Sequence, residues 1–156
     1  MKITTLCYIT HNDKTLMLYR NKKKNDENAG KWVGIGGKLE AGESPEDCLV
    51  REVREETGII LESYRFRGLV TFVSDEWGTE YMCLYTATAS DCSLSDCSEG
   101  HLEWVEDTRL GGLPMWEGDR VFFDLIRKDG PFFSLKLVYR GEKLTKVFLD
   151  GKEMGV

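Results

Sequence analysis

The chain predicts an α/β (α+β) fold, a mixed β-sheet covered by helices, on three observations. Runs rich in β-branched and aromatic residues recur at Lys2–Thr10, Thr15–Arg20, Tyr64–Ser74, Glu80–Ala87, Phe132–Tyr139 and Leu144–Leu149. Two segments, one after Ser44 and one over Asp119–Lys128, carry the spacing and boundary residues of helices. Their order, strands then helix then strands then helix then strands, is that of a sheet with helices laid upon it. At 156 residues the chain fits one domain, 1–156, with one core.

The first two runs flank His11-Asn12-Asp13-Lys14 and read as a hairpin. A polar loop, Asn21–Lys31, leads to the short run Trp32–Ile35, to Gly36-Gly37, and to a loop ending at Glu43. Ser44 is placed to cap a helix, Pro45 suits its first position, Asp47 stands where a capping-box acid belongs, and Gly58 supplies the stop after Thr57. Tyr64–Ser74 and Glu80–Ala87 form a second strand pair around Asp75–Gly78. Ala89–Gly100 is a polar loop and His101–Glu106 another strand. In Asp119–Lys128, Val121, Phe122, Leu125 and Ile126 recur at helical spacing, and the last two runs close as a hairpin around Arg140–Lys143.

The N-terminus lacks the apolar core of a signal peptide, and no stretch reaches the ~20 apolar residues of a membrane span, so a cytoplasmic location is expected, with no membrane partner. Five cysteines without paired Cys-x-x-Cys clusters indicate reduced thiols rather than a disulfide frame or zinc site. A net charge of -6 argues against binding a nucleic-acid polymer, which needs a basic face. A small anionic substrate remains compatible where cations are supplied locally.

The informative segment is GGKLEAGESPEDCLVREVREETGI, residues 36 to 59. At 100° per residue from Glu52, Glu55 falls at about -60° and Glu56 at about +40°, so three carboxylates share one arc beside Leu49 and Val53. Asp47 with Arg51, and Arg51 with Glu55, are spaced for ion pairs of a solvated helix. Glu52 and Glu56, however, are like charges four apart, which is unfavourable unless a cation lies between them. Magnesium suits such hard oxygen ligands and is usually shared between carboxylates and substrate phosphates; manganese fits the same oxygens. Glu43 is placed to fold back onto Arg51 or to join the metal shell. Gly36 and Gly37 let the backbone approach phosphates or offer a carbonyl to the metal.

From Gly37, five residues lead to Glu43, seven more to Arg51-Glu52, then Val53, a spacer, Glu55-Glu56, a spacer, Gly58 and Ile59. This matches the Nudix hydrolase box at every specified position, and the chain resembles that family. Seven fixed residues give a chance match on the order of one in 10⁸ per start. The resemblance implies the Nudix fold, a mixed sheet sandwiched between α-helices, and Mg²⁺-dependent hydrolysis of a nucleoside diphosphate linked to another group, with Mn²⁺ able to substitute. Carried over by position, Glu55 and Glu56 are implied metal ligands, Glu52 a third ligand or the general base, and Gly37 a carbonyl ligand. Arg51 orients a neighbouring carboxylate, and Glu43 is the alternative base. Glu99 stands where relatives add a further metal-side glutamate.

Past the box, Leu113-Pro114-Met115-Trp116-Glu117-Gly118-Asp119 resembles the purine pocket of the MutT-like 8-oxo-dGTP diphosphatase branch, implying that Trp116 stacks on the base and Asp119 hydrogen-bonds its edge. A helix start, with Asp119 as cap and Trp116 as packing, is the structural alternative. Lys31–Lys38 also resembles this branch, except that Val33 stands where some members read the base with Asn. Phe72 and Met82 are candidate pocket walls. Arg20, Lys22, Lys23, Lys24 and Lys38 are candidate cations for a polyphosphate. The implied reaction releases a nucleoside monophosphate and pyrophosphate from a triphosphate, by a monomer or homodimer. Two alternatives stand beside it: a Nudix hydrolase of another nucleotide (CTP-type, dinucleotide or sugar nucleotide) and a Nudix-fold binding module that senses a nucleotide.

Overall fold

Strand β1 (Lys2–His11) turns into β2 (Lys14–Arg20) through Asn12 and Asp13, whose positive φ of 47° and 62° suit the twist of a two-residue hairpin. The structure, a computed structural model, describes residues 1–156. Antiparallel pairing of β1 with β2 is confined to the turn end, Thr10↔Thr15 and His11↔Lys14, and beyond it the strands part. β2 continues against β6 (Gly100–Glu106) along its whole length and meets β3 (Trp32–Val33) at Leu18 and Tyr19. β1 pairs in parallel with β5 (Gly78–Thr88), from Lys2↔Glu80 to Thr10↔Thr88.

The gap opened between β1 and β2 is filled by the glycine-rich strip. Ile35 bridges Cys7, the Thr5 N–H donates to the Gly37 carbonyl at 2.9 Å, and the Leu39 N–H donates to the Ile3 carbonyl at 3.1 Å. The approach is so close that a Cβ on Gly36 would lie 1.8 Å from the Thr5 carbonyl oxygen.

Beyond β5 the sheet runs through β4 (Tyr64–Ser74, antiparallel), β7 (Phe133–Arg140, parallel to β4), β8 (Lys143–Leu149) and β9 (Lys152–Met154). Helix α1 (Pro45–Thr57) covers one face, where Leu49 and Val53 share a core with Cys7, Ile9, Cys83 and Tyr85. Helix α2 (Asp119–Arg127) covers the other, with Phe122 against Tyr8, Leu84, Val70 and Leu135. Alternate residues of β1 thus feed two apolar cores, one on each face of the sheet, where the chain length suggested one, because the period of two in a strand sends side chains to both faces. The expected mixed sheet between helices is observed. No helix is long and apolar enough to cross a membrane.

Two elements were not expected from the sequence. A 3₁₀ turn over Asp107–Gly112 buries no residue, so it carries no apolar period to detect. β9 consists of three exposed residues, returned onto β8 by Asp150 and Gly151 in the left-handed region. The expected Asp47–Arg51 ion pair does not form, because the Asp47 carboxylate accepts from the Ser44 N–H at 3.0 Å instead.

Candidate active site

Helix α1 is fixed at both ends by its own sequence. Ser44 Oγ accepts from the Asp47 N–H at 3.1 Å, closing the capping box, and Gly58 (φ 81°) ends the helix with its N–H on the Arg54 carbonyl. Such a cap contributes about 1 kcal/mol. Burial of Leu49 and Val53 then sets the rotation of the helix. Glu56 is drawn to the buried side at 9% exposure, while the Glu55 side chain is left 57% exposed.

The result is a cleft of about 380 Å³ with two chemically different ends. At one end Glu52, Glu56, Glu99, Gly37 and Lys38 converge. Glu56 Oε2 is buried without a hydrogen-bond partner, and burial together with the charges of Glu99 and Glu52 pushes this carboxyl well above the ordinary range. A Cβ on Gly37 would lie 2.4 Å from the Glu52 carboxyl carbon, so the backbone leaves that carboxylate just enough room. Crowded carboxylates with an orphaned oxygen and a nearby backbone carbonyl fit a hard divalent cation.

Arg51 organises the rim. Its Nε and Nη2 grip Glu43 at 2.7 and 2.8 Å, Nη1 reaches Glu52 at 2.8 Å and Glu55 at 3.4 Å, and Nη2 also donates to the Lys38 carbonyl. The guanidinium and the Glu40 N–H hold the Glu43 carboxyl down to about 2. Neither Glu43 nor Glu55 lines the cleft; both sit around Arg51 on its outer side.

At the other end stand Trp116, Asp119, Phe72, Met82 and Val33. Phe72 and Tyr139 meet the Trp116 ring edge-on, at centroid distances of 5.1 and 4.9 Å, and the Lys31 ammonium lies over it at 4.4 Å. The Trp116 N–H donates to Asn28 Oδ1 at 2.8 Å. Asp119 does not cap α2: the N-cap is Gly118, whose N–H donates to the Tyr139 hydroxyl. Burial pushes the Asp119 carboxyl up to about 8 against the pull of Arg120 and Lys31.

Of the candidate cations, Lys23 and Lys38 line the cleft, but Lys22 donates to the Cys97 carbonyl and Lys24 lies outside it. Arg20 lines the cleft with its guanidinium already engaged by Asp26 (2.7 Å) and Glu99 (2.9 Å). Sequence reasoning missed Lys2, Thr4, Glu27, Asn28 and Glu80, which also line it. The period of two in a strand puts Thr4 on the face of Leu6 and Tyr8, a signal the sequence offered without showing that this face meets Glu80, whose carboxylate accepts from Thr4 Oγ1 at 2.7 Å. Asn28 carried no signal within its polar loop.

The cleft thus sets crowded carboxylates at one end against an aromatic and apolar wall with a buried carboxyl, Asp119, at the other. The chain belongs to the Nudix family: the NUDIX domain matches residues 2–125. It is a Nudix hydrolase in fold and family, and such enzymes generally use divalent metal ions. It is 35% identical over 130 residues to the Nudix hydrolase YvcI of Bacillus subtilis, covering 80% of this chain and 78% of that one. It is 26% identical over 134 residues to an oxidized purine nucleoside triphosphate hydrolase of Danio rerio, covering 85% and 84%. Among solved structures, a mutator MutT protein from Bacillus halodurans superposes with a TM-score of 0.84 at 28% identity, covering 96% of this chain and 98% of that one.

Proposed function

We propose that this chain is a magnesium-dependent nucleoside triphosphate pyrophosphohydrolase acting on oxidised purine nucleotides such as 8-oxo-dGTP, and so serving nucleotide-pool sanitation and mutation avoidance. The observation that carries the reading is the two-ended cleft, an orphaned Glu56 oxygen among carboxylates at one end and the Trp116 ring with Asp119 at the other. The MutT-like and oxidized-purine relatives support the purine, and the box glutamates support the metal.

Glu56, Glu99 and the Gly37 carbonyl would hold Mg²⁺, or Mn²⁺ in its place, with Glu55 beside them and Glu52 serving either as a third carboxylate ligand or as the general base. When bound, the cation supplies charge for the polyphosphate and acidifies water. Lys38 and Lys23 face the phosphates. A water oxygen attacks phosphorus, the phosphoanhydride P–O bond breaks, pyrophosphate leaves with the bonding pair, and the water's proton passes to a carboxylate. Glu52 suits that task better than Glu43. Both Glu43 oxygens are locked by Arg51 and its carboxyl is strongly acidic, whereas Glu52 engages Arg51 through Oε1 and faces the cleft. Trp116 stacks on the base and Asp119 bonds its edge, between Phe72 and Met82.

A nucleotide panel with Mg²⁺ should show pyrophosphate release greatest with 8-oxo-dGTP. Faster turnover of CTP or of a sugar nucleotide would overturn the substrate while leaving the hydrolase intact. Glu52→Gln should lower kcat by about 100-fold or more with an unchanged melting temperature. Retained activity would move the base elsewhere.

A further inference from the structure

We infer that Asn28 is a specificity-determining residue whose side-chain amide donates to the C6 carbonyl of the bound purine. The inference rests on the Trp116–Asp119 end being the base pocket. An indole N–H can only donate, so the atom it meets at 2.8 Å is the amide oxygen of Asn28, which leaves the amide nitrogen outside that bond. That nitrogen carries two N–H donors and makes no hydrogen bond within the chain, while Asn28 lines the cleft.

The donor pair is fixed in place. The Asn28 backbone N–H donates to Asp26 Oδ1 at 3.0 Å, and Asp26 Oδ2 accepts from Arg20 Nε at 2.7 Å. Three anchors, the indole, Asp26 and through it the largely buried Arg20, thus orient a residue that sits in an otherwise irregular loop.

At this end Val33, Phe72 and Met82 offer only apolar surface, and Asp119 offers a carboxyl. An amide donor and a carboxyl within one pocket match an edge that carries a carbonyl beside ring N–H groups. A 6-aminopurine presents a donor where Asn28 also donates. A site built to hydrogen-bond a group discriminates against the analogue that lacks it, because its own polar atoms are then left unpaired.

The experiment compares Asn28→Asp with Asn28→Ala and the parent protein, measuring kcat and KM with Mg²⁺ for 8-oxo-dGTP and for 8-oxo-dATP, which has an amino group in place of the C6 carbonyl. Asp keeps an oxygen for the Trp116 N–H and replaces the free donors by an acceptor; Ala removes both functions. The expected result for Asn28→Asp is about a 30-fold loss of kcat/KM for 8-oxo-dGTP, carried by KM, with less than about a threefold loss for 8-oxo-dATP. If Asn28→Asp behaves as the parent and only Asn28→Ala loses activity, Asn28 merely braces Trp116 and the inference is overturned. An equal loss for both nucleotides overturns it as well. If the parent protein turns over neither oxidised purine, the base-pocket reading itself has failed, a result visible before any variant is compared.

Discussion

Gly36 and Gly37 are neighbours with different duties. At Gly36 a Cβ would meet the Thr5 carbonyl at 1.8 Å, backbone against backbone, so Gly36→Ala must push the strip off β1. At Gly37 the Cβ would meet the Glu52 carboxyl at 2.4 Å, a side chain that can swing away. Gly36→Ala is therefore expected to cost about 3 kcal/mol or more in urea denaturation. Gly37→Ala should leave stability within about 1 kcal/mol and lower kcat by about 100-fold, since displacing a catalytic group by an ångström costs that much. Asp119 gives a second prediction. Its carboxyl titrates near 4 in the unfolded chain and is pushed up to about 8 by burial in the fold, so between these values the folded state binds the extra proton. Its contribution to stability is thus present below pH 4 and is lost as pH rises towards 8, by an amount on the order of a few kcal/mol. Asp119→Asn should flatten the slope of unfolding free energy across that window, and an unchanged slope would mean that the carboxyl is solvated. The helical geometry behind Glu52 and Glu56 was legible because it is local. Even the fate of Glu55 was implicit, since Leu49 and Val53 lie at about +60° and +100° from Glu52, on the side of Glu56 and away from Glu55.

Helix α1 reaches its neighbours through Arg51, which ties the Lys38–Glu43 loop to the carboxylates of the helix. The grip on Glu43 uses two nitrogens of one planar fork, which an ammonium cannot reproduce. Arg51→Lys should therefore lower kcat/KM by about 10-fold or more. Equal activity would show that Glu52 orients itself. Capping residues announced α1 to the residue, and turn residues announced the β1–β2 and β7–β8 hairpins. The parallel pairs β1–β5 and β4–β7 were not legible, because they join residues more than sixty positions apart and leave no signal in either strand alone. The cleft residues Thr4 and Glu80 were invisible for that reason. Asn28 was invisible because a loop has no period.

At the scale of the molecule, the strand that begins the chain lies in the middle of the sheet and is also the wall against which Gly36 and Gly37 are pressed. One strand thus belongs to both cores and to the cleft, with Cys7 and Ile9 facing α1 and Tyr8 facing α2. Activity and sheet melting, followed side by side on heating, are expected to share one midpoint within about 2 °C, as for a single cooperative unit. An earlier loss of activity would show that the strip detaches while the sheet survives. The position of β1 also governs how the enzyme is born. During synthesis β1 emerges some seventy residues before its parallel partner β5, so the nascent chain must keep an apolar strand from finding a neighbour in another chain. The yield of folded protein is then expected to depend on how well that strand is shielded until β5 arrives.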